Sequence, residues 1–288
     1  MNEQRKVAII TGANGSMGTE EVRAVAKAGY EVVMACRDLD KARPTYEMLK
    51  KEIDTPLSLL HLDLASFEVI KEFVNEIKSR YQHIDLLLNN AGTLCHFPKE
   101  TAEHIEYTVG VNYLGHYLNT HLLLPLLGEG SRIVNMVSLT YKYGNIPDDI
   151  FLPRTKKNFN RFTVYGNSKL AFFYFTMDAA EKWKERGIFV NCADPGIVST
   201  NIIRQGNRVI DKLCDIFYRP LIKKPAQGAD TMLYLALDEE TKNFNGVCYR
   251  DRKPIITSEK LLHHPQREKL RKMTQDLLKQ HGFELQAI

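Results

Sequence analysis

The strongest constraint on the fold lies near the start of the chain. An apolar run, Val7-Ala-Ile-Ile10, leads into Thr11-Gly-Ala-Asn-Gly-Ser-Met-Gly18, and helical periodicity covers residues 16–28. Strand, glycine turn and helix in that order open a βαβ unit. Gly12 supplies the tight turn, and Gly18 falls where the helix must approach the strand closely. The helix start offers unpaired N–H groups and the positive end of its dipole, a setting that suits a pyrophosphate. Glycine turns without a ligand also occur, so the surroundings have to decide.

The rest of the chain continues the alternation. Apolar runs at 31–35, 57–62, 85–88, 132–137 and 188–193 predict further buried strands. Helical stretches are expected at 39–52, 66–79, 101–111, 113–127 and 165–186. This order predicts a single α/β domain: a doubly wound parallel sheet of the Rossmann type, covered on both faces, with right-handed crossovers. From 251 onward charged residues crowd the chain, and a charge-rich C-terminal helix is expected over about 258–281.

Composition excludes several function classes. Lys+Arg total 39 against 35 Asp+Glu, a formal charge of +4, with no dense basic run. That is no footprint for nucleic acid. The five cysteines, Cys36, Cys95, Cys192, Cys214 and Cys248, are odd in number and form no CxxC pair. They argue against a disulfide framework and for a reducing compartment. No metal site is expected, because the nine histidines form no HExxH or Cys/His cluster. His116 and His121 read as ordinary helix residues. No apolar run is long enough to span a bilayer, and the first residues are too short in apolar length for a secretory signal. A cytoplasmic location is the expectation.

The second predicted strand ends Ala35-Cys36-Arg37, with Arg37 lying 19 residues beyond Gly18. An acid there would bind the ribose hydroxyls of NAD, whereas a base suits the 2′-phosphate of NADP. The planar guanidinium fork matches phosphate, and Lys41 could assist. Asp38 next door points the other way. NADP(H) is therefore expected in preference to NAD(H).

Tyr165-Gly-Asn-Ser-Lys169 puts a phenol and an ammonium four residues apart, on one face of a helix. Phenols titrate near 10. A neighbouring cation favours phenolate, so Tyr165 can act as a general acid or base. Alone, this spacing is usually a surface pair. Here it has company: Asn89-Asn-Ala-Gly92 ends the fourth predicted strand, and Asn112 stands in Val-Asn-Tyr-Leu-Gly115. Ser138 ends the fifth, and Pro195-Gly-Ile-Val-Ser-Thr200 follows the sixth. Strand carboxyl ends are where open α/β sheets bind ligands.

This ordered set resembles the short-chain dehydrogenase/reductase family over residues 5–250. The resemblance implies that Tyr165 exchanges a proton with the substrate oxygen while hydride moves to or from the nicotinamide, and that Ser138 hydrogen-bonds the same oxygen. It implies that Lys169 lowers the tyrosine pKa and binds the nicotinamide ribose, and that Asn112 holds a water relaying protons from Lys169. It implies cofactor contacts from Gly12, Asn14, Ser16, Met17, Gly18, Asp63, Leu64, Asn90, Ala91, Gly92, Pro195, Gly196, Val198 and Thr200. The long segment between Ser138 and Tyr165, with Met34-Ala-Cys-Arg-Asp38 and Ser168-Lys-Leu-Ala171, is similar to retinol dehydrogenases. A lipophilic carbonyl or alcohol substrate follows from that resemblance.

Two residues depart from the family pattern: Ser16 stands where glycine is usual, with Gly15 displaced by one, and Asp194 precedes Pro195. Residues 202–224 are apolar and basic together, open to reading as a substrate lid, a peripheral membrane contact or a buried helix. The oligomeric state stays open, a homo-oligomer included. Two competing functions are a catalytically weak dinucleotide-binding regulatory or scaffold protein, and an epimerase-like relative that shares the Tyr/Lys pair.

Overall fold

The computed structural model describes residues 5–198 and 223–285. Among these, eight strands form one sheet: Val7–Thr11 (β1), Glu31–Cys36 (β2), Leu57–His61 (β3), Leu86–Asn89 (β4), Arg132–Met136 (β5), Phe189–Ala193 (β6), Cys248–Arg250 (β7) and Lys253–Pro254 (β8). Their order is β3-β2-β1-β4-β5-β6-β7-β8. All neighbours run parallel except β7 and β8. Strand order reverses between β1 and β4, so a crevice opens there at the carboxyl edge.

Alternating side chains sort the strands into two cores. Ile9, Val33 and Leu87 enter one, while Ala8, Ile10, Val32, Met34 and Leu88 enter the other. The helices are Ser16–Lys27 (α1), Leu39–Glu52 (α2), Phe67–Arg80 (α3), Tyr107–Val109 (α4), Gly115–Leu123 (α5), Arg161–Trp183 (α6), Pro225–Leu237 (α7), Glu259–Leu262 (α8) and Pro265–Gln280 (α9). The second core holds Val22 and Val25 of α1 and Met232 and Leu235 of α7. The first holds Phe73 of α3, Leu118 of α5 and the aromatic run Phe172–Phe175 of α6. That run is therefore core packing.

Three helical expectations change. The pair at 101–111 and 113–127 is one irregular helix that begins only at Tyr107. Before it, the Thr101 hydroxyl accepts the Glu103 and Ile105 N–H groups, and the Glu106 carboxylate caps the Val109 N–H at 2.8 Å. Between α4 and α5 the backbone runs as a π-helix over Gly110–Leu114, which contains Asn112. Such a bulge often marks a functional position. The long helix begins at Arg161, four residues earlier than 165, because the Asn160 side chain accepts the Phe162 and Thr163 N–H groups. The sequence reading assigns no element to 225–254, where α7, β7 and β8 lie. The continuous apolar stretch inside α7 has no clear period to separate helix from strand.

At the C-terminus, α9 turns Leu270, Thr274 and Leu278 inward. Thr274 shares a 2.7 Å hydrogen bond with Tyr113, and Arg267 donates to Asp178 at 2.6 Å with both side chains nearly buried. No described helix is long and apolar enough to cross a membrane. Among the described residues no group of three or more His, Cys, Asp or Glu gathers around a metal-sized site.

Candidate active site

The crevice at the carboxyl edge has two lobes that share Met17, Asn90 and Gly92. The first, about 350 Å³, is lined by Gly12, Asn14, Ser16, Met17, Gly18, Arg37, Asp63, Leu64, Asn90, Ala91 and Gly92. The second, about 390 Å³, is lined by Ser138, Tyr165, Lys169, Pro195, Gly196 and Val198. Asn112 lines neither and lies fully buried beneath them. Thr200 and the stretch 202–224, apart from Lys223 and Lys224, lie outside the described residues.

The first lobe is shaped by backbone. Gly12 has φ +65, and a Cβ there would meet the Ala91 Cα at 3.0 Å. A Cβ on Gly18 would sit 2.4 Å from the Gly12 carbonyl oxygen, so any side chain would push α1 off the strand. Gly15 caps α1 without a side-chain hydrogen bond, leaving the first-turn N–H groups facing the lobe. Ser16 is the first residue of that helix, exposed and in helical backbone that any residue adopts. Its replacement of glycine therefore carries no conformational strain.

Side chains hold the walls. The Asn90 amide donates to the Thr11 carbonyl at 3.0 Å, and the Ala91 N–H donates to the Thr11 hydroxyl at 3.0 Å. The Asn90 Oδ1 is buried with no partner among the described residues. His116, which reads in the sequence as an ordinary helix residue, lies fully buried behind this wall. Burial pushes its imidazole down to about 3, so it stays neutral. Its Nε2 lies 3.0 Å from the Ala91 carbonyl, which can only accept, and thereby pins the Asn-Ala-Gly turn.

At the far end, Arg37 donates to the Tyr107 hydroxyl at 2.7 Å, a partner 70 residues away that no local pattern reveals. Asp38 does not oppose it. That carboxylate caps α2 through the Lys41 N–H and pairs with the Lys41 ammonium at 2.6 Å. The Lys41 hydrogen bond holds the Asp38 carboxyl below its ordinary range.

The second lobe is assembled from side chains. Burial pushes the Tyr165 phenol up to about 12, against the pull of the Ser138 hydroxyl beside it. Burial also pushes Lys169 down to about 8, with the Asp194 charge raising it in part. The Lys169 ammonium donates to the Met136 carbonyl at 2.7 Å and lies 5.7 Å from the Tyr165 ring centre. Desolvation thus dominates both groups, and the expected lowering of the tyrosine by Lys169 is not its leading influence here.

The Asn112 side chain is fully engaged. It accepts the Thr93 N–H at 2.7 Å and donates to the Thr93 carbonyl at 2.9 Å and the Ser168 hydroxyl at 3.1 Å. Asn112 and Lys169 face one another across bare Gly92, whose added Cβ would lie 3.5 Å from the Asn112 Oδ1 and 3.7 Å from the Lys169 Nζ. Asp194, at the end of β6, is 2% exposed. Its Oδ1 accepts the Gly196 N–H at 3.0 Å, and its Oδ2 lies 3.7 Å from Arg250. On the other side of the mouth, Gly228 of α7 lets Val198 and Met17 pack in. A Cβ there would be 2.7 and 2.8 Å from them. Leu94, Thr140, Arg161, Phe162 and Ile197 also line this lobe, and none was singled out from sequence.

The short chain dehydrogenase family model matches residues 6–148 and 153–209 of the chain. Retinol dehydrogenase 11 of Mus musculus is 37% identical over 254 residues, covering 85% of this chain and 78% of its own length. Retinol dehydrogenase 12 of Homo sapiens is 31% identical over 280 residues, covering 95% and 86%. Among solved structures, an uncharacterized protein from Mycobacterium Paratuberculosis superposes with a TM-score of 0.75 at 24% identity, over 96% of this chain and 94% of that one. A short chain dehydrogenase from Burkholderia cenocepacia J2315 in complex with NADP gives 0.68 at 20% identity, over 85% and 95%. These two likenesses concern the fold.

Proposed function

The chain belongs to the short-chain dehydrogenase/reductase family, and from that premise we propose that it is an NADP(H)-dependent oxidoreductase of lipophilic carbonyls or alcohols. One observation carries the reading: a backbone phosphate cradle opens directly into a lobe where Ser138, Tyr165 and Lys169 converge. The unpartnered Asn90 Oδ1 and the glycine-bared wall at Gly12 fit a dinucleotide in the first lobe. The nicotinamide cofactor supplies the hydride chemistry.

In this reading the first-turn N–H groups of α1 bind the pyrophosphate, with Asn14, Ser16, Met17 and Gly18 around it. Asp63, Leu64 and Ala91 flank the adenosine. Arg37, steadied by Tyr107, and Lys41 bind the 2′-phosphate, and Asp38 does not compete because it is committed to capping. Pro195, Gly196, Val198 and Thr200 border the nicotinamide end.

Tyr165 donates a proton to the carbonyl oxygen during reduction and takes one from the alcohol during oxidation. Ser138 donates a hydrogen bond to that oxygen. Lys169 presents an ammonium beside the phenol, and a relay water would span the gap between it and Asn112 across Gly92. Exposed Phe162 and Ile197 at the mouth, with Leu94, Val137 and Val198 inside, favour an apolar substrate body. Retinol dehydrogenase relatives support that substrate class. The test is reduction of a panel of aliphatic and aromatic aldehydes and ketones with NADPH and with NADH. Turnover preferring NADPH is expected. Equal use of both cofactors would remove the cofactor assignment, and no turnover across the panel would remove the activity.

A further inference from the structure

Among the described residues, the second lobe holds two cationic side chains and no carboxylate. Lys169 is committed to the Met136 carbonyl at 2.7 Å. The other cation, Arg161, is the first residue of α6 and stands four positions before Tyr165, on the same helix face. Its one hydrogen-bond partner among the described residues is His96, an uncharged acceptor when neutral, at 2.9 Å from Nη1. Its Nε is buried with no partner, and among the described residues no carboxylate pairs with it. The Thr140 hydroxyl, lining the same lobe, is also buried and unpartnered. The N-terminus of α6 is no substitute site, because Asn160 takes its Phe162 and Thr163 N–H groups.

Arg161 is only half-buried, but it lines an apolar lobe with no carboxylate facing it among the described residues, so an anionic ligand group is its natural partner. Burial already pulls Arg161 below its ordinary range. We infer that Arg161, with Thr140, forms an anion-recognising subsite, and that the substrate is a carbonyl or alcohol bearing a carboxylate about one helical turn, ~5.4 Å, from the reacting carbon. The planar fork of Arg161 pairs with a carboxylate through parallel N–H bonds, which an ester or a methyl group cannot reproduce. Leu94, Phe162 and Ile197 hold the apolar body between the two ends. The substrate is thus amphiphilic, acid at one end and reducible at the other. This inference rests on the oxidoreductase reading of the same lobe.

The probes are 4-acetylbenzoate and its methyl ester, whose ring holds the ketone and the second group about one turn apart. Each is titrated calorimetrically into the NADP⁺-loaded protein, for the unmodified chain, Arg161→Met and Arg161→Lys. The acid should bind the unmodified chain at least tenfold more tightly than the ester, the scale of one charge-assisted hydrogen bond. Arg161→Met should bring the acid-to-ester ratio near one, and Arg161→Lys should keep part of it. Because the ester is measured in every variant, a damaged pocket is told apart from a lost subsite. Equal binding by the unmodified chain, a preference that survives Arg161→Met, or no binding of either probe overturns the subsite. NADPH consumption is read separately. Reduction of the ester with no acid preference keeps the activity and rejects the subsite. An Arg161-dependent preference without turnover of either probe keeps the subsite and rejects the activity.

Discussion

The two lobes of the crevice are built by different means. The first is centred on one continuous stretch, residues 11–18, where the backbone does the shaping: a left-handed Gly12, a bare Gly18 and the open first turn of α1. The second draws on side chains from β5, α6 and the loop after β6, which lie tens of residues apart. Burial pushes Tyr165 up and Lys169 down from their ordinary ranges, whereas in the first lobe the Lys41 hydrogen bond holds Asp38 low at the surface. Backbone recognition is cheap to solvate and tolerant of side-chain change. Desolvated side chains carry chemistry and are intolerant of it.

The comparison breaks most sharply at Tyr165. In the proposed mechanism Tyr165→Phe removes a proton donor and leaves the ring to pack. Turnover should fall by about 10² to 10⁴, while NADP(H) affinity measured by titration barely moves. A variant that keeps most of its rate would separate the second lobe from the chemistry.

In the proposed reading the exception in the first lobe is the ribose end, where the Arg37 side chain does the recognising. Arg37→Asp should weaken NADPH binding by about ten- to a hundredfold, the loss of a charge-assisted hydrogen bond, and improve NADH. Turnover at saturating cofactor should stay near its original value. Unchanged cofactor preference would mean that the 2′-phosphate is held elsewhere.

Ser16→Gly tests the tolerance of the cradle itself. Ser16 is exposed and helical, so affinity should change by less than about tenfold, ~1.4 kcal/mol. A much larger gain would show the native loop to be impaired.

Asp194→Asn sharpens the comparison through pH. The Asp194 charge raises both Tyr165 and Lys169. Val137 donates to the Ala193 carbonyl at 2.9 Å, and Ala193 pairs with Met136, the residue that holds Lys169, so Asp194 adjoins that ammonium across the ladder. Without the carboxylate both groups lose protons more readily. The alkaline limb of kcat/KM for reduction, which needs the protonated phenol, should move to lower pH. The neighbours Arg250, Tyr141, Cys192 and Cys248 remain as in the native chain. An unmoved limb would mean that the Asp194 field does not reach the phenol.

Legibility in the sequence followed the same division. The alternation of apolar runs was enough to place β1 through β6 along the chain, because buried parallel strands must be apolar on both faces. Gly12 and Gly18 were readable as turn and packing positions, since torsional freedom and close approach are local demands. The region of α7, β7 and β8 was not readable, and neither was the start of α6, which a single asparagine cap moved by a full turn. Asn112 was visible as a residue but not as the amide that staples Thr93 inside a π-turn, because that turn answers to packing rather than to periodicity.

By itself, then, the sequence determined the doubly wound sheet, the glycine turn at its first strand and the types of the side chains proposed to react. Each depends on residues close together in the chain or on their chemical type. Only the tertiary structure decided that Asp38 is spent on Lys41, that Tyr107 steadies Arg37, that His116 pins the Ala91 carbonyl, and that Arg161 faces the second lobe with no carboxylate partner among the described residues. The physical reason is that the state of a polar side chain is set by desolvation and by its partners. Tyr107 and His116 are 70 and 25 residues away from the groups they hold.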